Sequence, residues 1–155
     1  MTTHLRRACR RDVAAFVRLL ADDPLGAARE DPTDRTPYET AFARIVVTRT
    51  STSSWPSAWA STVARSSAPP PALALQPGLS RRGATRCTIE GVRIAADARG
   101  TGLGTQLVEW AIEESRRLGA SLVQLTSDTS RVDARRFYEH LGFTASHVGL
   151  KRALD

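Results

Sequence analysis

The sequence predicts an α/β (α+β) fold, a sheet flanked by helices. Three observations lead there. An apolar, strand-like run from Thr88 to Ile94 leads into a glycine-rich turn, Arg99-Gly100-Thr101-Gly102-Leu103-Gly104, and the turn opens an amphipathic segment from Thr105 to Leu118. Strand-period and helix-period segments alternate over the rest of the C-terminal half. The 155 residues are enough for one domain with its own core, spanning 1–155.

The first elements are legible from caps and prolines. Leu5 to Ala8 reads as a short first strand. Asp12 is placed to cap a helix with Val13, Phe16, Val17 and Leu20 on its apolar face. That helix ends near Asp23-Pro24, because proline disfavours continuation. Leu25 to Thr36, with Gly26, Pro32 and several charges, reads as a loop. Thr36-Pro37 starts a second helix, Pro37 at its first helical position, with Tyr38, Ala41, Phe42 and Ile45 on one side.

From Thr48 to Pro71 the character changes. Ser, Thr, Ala, Arg and Pro dominate, Trp55 and Trp59 stand isolated, and neither the helical nor the strand period appears. A structureless insert of ~24 residues is out of place in a compact domain. Back-translating Val46 to Pro70 and reading one base earlier, with G or C at most third positions, allows RRDPDLDQLVAVRVGVDGRAVVGAAT, which runs into Leu73-Ala74-Leu75. That string has apolar strands around an Asp-Gly turn, a hairpin signal. Residues 46–71 are therefore expected to be translated out of frame between two compensating indels, the alternative being a natural low-complexity loop.

Order returns with the apolar run Ala72 to Gln76, followed by a basic turn, Ser80-Arg81-Arg82-Gly83. Arg86 to Ile94 reads as a strand with an irregularity at Gly91. The helix after the glycine turn directs Leu103, Leu107, Ala111, Ile112 and Leu118 inward and stops at Gly119. Leu122, Val123 and Leu125 make another strand, and Ser127 to Ser130 a cap-rich turn. A short helix from Arg131 to Leu141 carries Ala134, Phe137, Tyr138 and Leu141, and Phe143 to Leu150 reads as a last strand.

Composition removes several classes. No apolar run approaches the ~20 residues of a membrane span, and the basic N-terminus lacks the apolar core of a signal peptide. Cys9 and Cys87 have no metal-ligand spacing, and His4, His140 and His147 form no metal motif, so no metal is expected. The chain reads as cytoplasmic. Net charge is +6, but the arginines are scattered without a nucleic-acid motif, and lysine is almost absent. That is the composition a GC-rich gene produces, so the charge is discounted as evidence and a nucleic-acid partner is not expected.

The glycine turn has its own chemistry. Glycines let the backbone adopt conformations closed to other residues, and the following helix offers unpaired N–H groups and the positive end of its dipole. An anion such as phosphate is the natural guest. The segment from Ile89 to Leu150 resembles the GCN5-related N-acetyltransferase (GNAT) superfamily. Arg99, Gly102 and Gly104 meet its Arg/Gln-x-x-Gly-x-Gly/Ala motif, and Phe137-Tyr138-Glu139-His140-Leu141-Gly142-Phe143 meets its late helix motif. The resemblance fails across Val46 to Pro71, where the family places a central hairpin.

The resemblance implies an acyl-CoA N-acyltransferase fold, a mixed, mostly antiparallel sheet splayed between the two central strands and flanked by helices, with acetyl-CoA as co-substrate. The pyrophosphate would sit on Arg99, Gly100, Thr101, Gly102, Leu103, Gly104 and Thr105, and the pantetheine would pair with the backbone of Val92, Arg93 and Ile94. Tyr138 matches the phenol that protonates or hydrogen-bonds the departing sulfur, and Glu90 lies where many members place a base, direct or through water. Asp128 is the rival base, in a setting that suits capping. Arg131 stands where many members have Asn, and could reach a CoA phosphate. An acetyl-cysteine on Cys87 lacks a His/Asp arrangement to support it.

The acceptor implied is an amine, most simply a small molecule, with specificity set by the segments Asp22 to Asp34 and Gly78 to Arg86, the first acidic and the second basic. A homodimer is compatible with the family. Two alternatives stay open: a CoA-binding protein without activity because its central hairpin is disrupted, and a basic RNA-binding domain.

Overall fold

The computed structural model describes residues 5–7, 10–22, 27, 29–47, 60–62 and 71–154. Its main sheet is built from β3 (Ala72–Pro77), β4 (Thr85–Glu90) and β5 (Leu122–Leu125), and a second small sheet pairs β1 (Leu5–Arg7) with β2 (Ala60–Thr62). β1 and β2 are antiparallel, Leu5 opposite Thr62 and Arg7 opposite Ala60. β2 falls within the stretch read as low complexity. A three-residue backbone ladder needs only N–H and C=O groups, so it left no side-chain period to detect. Residues 48–59 and 63–70, including Trp55 and Trp59 and most of the segment read as out of frame, lie outside the described residues.

Helix α1 (Val13–Ala21) buries Val13 and Val17, one turn apart on the face the sequence marks as apolar. Asp12 is at the N-cap position, but its side chain makes no capping hydrogen bond. A 3-10 turn, Arg10–Asp12, runs straight into the helix, so Asp12 is already helical (φ −80°, ψ −18°) and not extended as a capping residue is. α1 stops before the proline, with the Asp22 N–H donating to Arg18 O at 2.9 Å. α2 (Thr36–Val47) is held at its start by Asp34, whose Oδ1 accepts from the Thr36 N–H at 2.9 Å. Arg10 ties the two helices by donating from Nε to Glu39 Oε2 at 3.1 Å.

In the main sheet β3 and β4 are antiparallel, with Leu73 opposite Ile89 and Leu75 opposite Cys87. β4 and β5 are parallel, with Cys87 opposite Val123 and Ile89 opposite Leu125. These are every-second positions, so all six side chains share one face. That face meets α4 (Leu103–Arg117), whose Leu107, Val108, Ala111 and Ser115 are buried. Leu73, Cys87, Ile89 and Ala111 form the centre of the core, with Trp110, Val123, Leu125 and Phe143 packed around it. Each large side chain so buried stabilises the fold by about 1.5–3 kcal/mol. The β3–β4 connection, α3 (Ser80–Gly83), is a left-handed turn with Arg81 at φ 53° and Arg82 at φ 59°.

The strand expected to reach Ile94 ends at Glu90. Gly91 takes φ +71°, where a Cβ would stand 3.4 Å from Phe16 Cζ, so the glycine that follows the strand is also where α1 leans on it. β4–β5 pairing ends at Ile89 and Leu125, and residues 91–95 carry no strand structure. The last strand expected from Phe143 to Leu150 does not form. Phe143 packs on the core and its N–H donates to Tyr138 O at 3.1 Å, but residues 144–150 are exposed and irregular, with Val148 86% and Leu150 92% accessible. An alternating pattern makes a strand only when a neighbour supplies the ladder, and among the described residues β5 pairs with β4 alone.

Candidate active site

Where β4 stops pairing, the chain turns through a 3-10 segment, Ala96–Ala98, into the glycine turn. Gly100 (φ +77°) and Gly102 (φ +83°) both occupy the left-handed region, which costs an L-residue about 1–2 kcal/mol. The Thr101 hydroxyl donates to Ala98 O at 2.7 Å and Arg99 Nε to Ile94 O at 3.3 Å, fixing the turn against the end of the strand. Gly102 is the N-cap of α4 and makes no side-chain capping hydrogen bond. The first N–H groups of α4 are thus left to a ligand. Gly104 lies within the first turn, where a Cβ would stand 3.4 Å from Phe137 Cζ and 3.7 Å from Ile94 Cγ1. Its missing side chain lets α4 come close to α5 (Val132–His140).

These elements wall a cleft of about 740 Å³. The strand end contributes Val92, Arg93 and Ile94, and the glycine turn Arg99, Gly100, Gly102, Gly104 and Thr105. Ser130, Arg131, Ala134, Phe137 and Tyr138 come from the start and inner face of α5, and Leu19 and Asp22 from the end of α1. Most of the residues selected from sequence for a cofactor therefore share one cleft with Tyr138. Thr101 and Leu103 belong to the same turn without lining it. Glu90 does not line it either, and is exposed at the end of β4.

Tyr138 is half-buried, with its ring edge-on to Phe137 at 5.2 Å and to Phe143 at 5.9 Å between centroids. Burial pushes its phenol above the ordinary tyrosine value, while the Arg131 and Arg93 guanidiniums pull the other way. The proton is therefore held at neutral pH. Asp128 accepts from Ser130 N at 3.0 Å and Ser130 Oγ at 2.7 Å, and these bonds hold its carboxyl below the usual range. It shapes the turn into α5 and does not line the cleft. Cys87 is fully buried in the core, and burial raises its thiol. Sequence reasoning passed over Leu19 as a wall and left Asp22 as one acidic residue among several, because only the packing of α1 on Gly91 brings that helix end to the cleft.

Among the described residues no group of three or more His, Cys, Asp or Glu could hold a metal, and no helix is long and apolar enough to cross a membrane.

The chain has counterparts among known proteins. Residues 67–143 match the model of the acetyltransferase (GNAT) family. An aminoalkylphosphonate N-acetyltransferase from Salmonella typhimurium is 45% identical over 56 residues, which span 36% of this chain and 36% of that protein. A crystal structure from Bacillus halodurans C-125, described as a transcriptional regulator, is 38% identical, with a TM-score of 0.85 over 99% of this chain and 100% of that one. An acetyltransferase of Trypanosoma brucei shares the fold at 24% identity, with a TM-score of 0.69 over 99% and 100% of the two chains. With a glycine turn opening a helix, a strand released from its parallel partner beside it, and the Phe-Tyr helix closing the cleft, this chain belongs to the acetyltransferase (GNAT) family.

Proposed function

We propose that this chain transfers an acetyl group from acetyl-CoA to a primary amine. One observation carries the reading: the uncapped start of α4 and the phenol of Tyr138 line one cleft. The residues fit the co-substrate. N–H groups of the Gly102–Thr105 turn suit a pyrophosphate, Arg99 and Arg131 supply cations for phosphates, and the stretch Val92 to Ile94, beyond the end of the β4–β5 ladder, suits a pantetheine amide ladder. Acetyl-CoA brings an activated thioester, and the amine attacks its carbonyl directly.

The chain's own residues then have two proton tasks. Tyr138, kept neutral by burial, donates its proton to the departing sulfur or hydrogen-bonds to it. Glu90, at the end of β4 and with no hydrogen-bond partner for its carboxylate among the described residues, takes the ammonium proton through water. Asp128 is already engaged by Ser130, which favours a structural role for it.

The acceptor is a small amine. The Salmonella relative adds aminoalkylphosphonates to the amines worth assaying. The basic segment Gly78 to Arg86 does not line the cleft, which leaves the acceptor to the α1 side. Isothermal titration with acetyl-CoA and a thiol-release assay over an amine panel test the reading. Binding with amine-dependent release of CoA supports it. Binding without release supports a CoA-binding protein that lacks activity, and no binding at millimolar acetyl-CoA removes both. The relative described as a transcriptional regulator favours a second reading, contact with nucleic acid. Salt-sensitive retardation of duplex DNA at about 150 mM salt, without acetyl transfer, would select it.

A further inference from the structure

We propose that Asp22 is the acceptor-binding residue of the cleft, holding the ammonium of the incoming amine. The inference rests on the acetyl-transfer reading for what happens next, but not for the binding itself.

The charges of the cleft carry it. Of its described lining residues, Arg93, Arg99 and Arg131 are cationic and Asp22 is the sole carboxylate. The guanidiniums suit a donor rich in phosphate, yet they repel an amine that arrives protonated. An ammonium therefore needs negative potential somewhere on the wall, and the end of α1 provides it. Asp22 is the C-cap of that helix, its N–H donating to Arg18 O at 2.9 Å. A carboxylate at a helix C-terminus adds to the negative end of the dipole, where stability alone favours a cation. Among the described residues no hydrogen bond or ion pair engages the Asp22 side chain, which is exposed. A local arrangement that works against stability, at the wall of the cleft, is where a bound cation restores the balance. Leu19, one helical turn back on the same wall, supplies apolar surface for the carbon chain of the amine. The substrate class is thus a primary aliphatic amine with a short alkyl stem.

The test uses the full chain, with 2-aminoethylphosphonate and n-butylamine as probes. Steady-state kinetics, acetyl-CoA titration and ligand-observed NMR of each amine without acetyl-CoA are compared for wild type, Asp22→Asn and Asp22→Glu. The expected result for Asp22→Asn is a KM for amine raised tenfold or more, with kcat within about threefold and unchanged acetyl-CoA affinity. Asp22→Glu is expected to restore KM to within about threefold. An unchanged KM in Asp22→Asn, or a parallel loss of acetyl-CoA affinity, overturns the inference. If the wild type transfers no acetyl group yet binds the amines, and Asp22→Asn abolishes that binding, the inference stands and the acetyl-transfer reading falls. Failure of both amines to bind the wild type overturns the inference.

Discussion

Gly102 and Gly119 bracket helix α4 with nearly the same backbone, φ +83° at its N-cap and φ +84° just past its end. At neither glycine would an added Cβ meet another atom within 4 Å. Replacing either by alanine therefore adds no clash, only the strain of a left-handed L-residue, about 1–2 kcal/mol. For a chain of this size that lowers the thermal midpoint by roughly 2–8 °C. The functional consequences separate. Gly102 lines the cleft and Gly119 does not. On the proposed binding of acetyl-CoA, a methyl group at Gly102 would stand in the path of the pyrophosphate, and any relaxation of the strained turn would move the N–H groups behind it. Loss of one charge-assisted hydrogen bond is worth about 1.5–3 kcal/mol, or roughly 10- to 100-fold in Kd. Thermal melts and acetyl-CoA titration of the two variants, measured side by side, form the assay. Both should melt earlier by similar amounts, and only Gly102→Ala should bind acetyl-CoA more weakly. Equal loss of affinity in both variants, or none in either, refutes an anion cradle at this turn.

Tyr138→Phe should reduce kcat while leaving acetyl-CoA affinity within about threefold, and unchanged turnover removes the phenol from the mechanism. Because burial raises the Tyr138 value above 10.0, the wild-type alkaline limb should fall above that pH and not below it. The same shift makes the Tyr138 contribution to stability constant below about pH 10, the unfolded value, and lost as pH rises through the folded one, so the Phe variant should lose less stability above that point. Cys87→Ala should cost about 1–2 kcal/mol by leaving a small void in the core, with acetyl transfer retained, and loss of transfer in a protein that still melts cooperatively would support an acetyl-cysteine. Replacing residues 46–71 with the string read one base earlier should raise the thermal midpoint by about 4 °C or more, corresponding to ~1–2 kcal/mol. A midpoint that stays level or falls refutes the out-of-frame reading.

Local chemistry decided much of this protein in the sequence itself. Glycines at Gly100, Gly102, Gly119 and Gly142 end or begin helices through positive φ, which is a property of the residue and needs no neighbour. The period of Leu107, Val108 and Ala111 and the alternation of Cys87 and Ile89 identify their elements because one face must leave water wherever the partner lies. The glycine motif and the Phe-Tyr helix were legible for the same reason, each being a short contiguous pattern. What the sequence did not settle depends on a second segment. Phe143 to Leu150 alternates as a strand does but finds no ladder. Asp12 has a capping residue's chemistry but not its backbone, because a 3-10 turn precedes it. β2 pairs with β1 in a three-residue ladder that no side-chain period announces. Glu90 and Asp22 differ only in where packing takes them: Gly91 ends the strand just beyond Glu90 and leaves it outside the cleft lining, while the contact of Phe16 with that same glycine brings the end of α1, and Asp22 with it, to the cleft wall. Backbone conformation follows from residues within a few positions, whereas the lining of a cleft depends on contacts between segments far apart in the chain, and only the tertiary structure decides those.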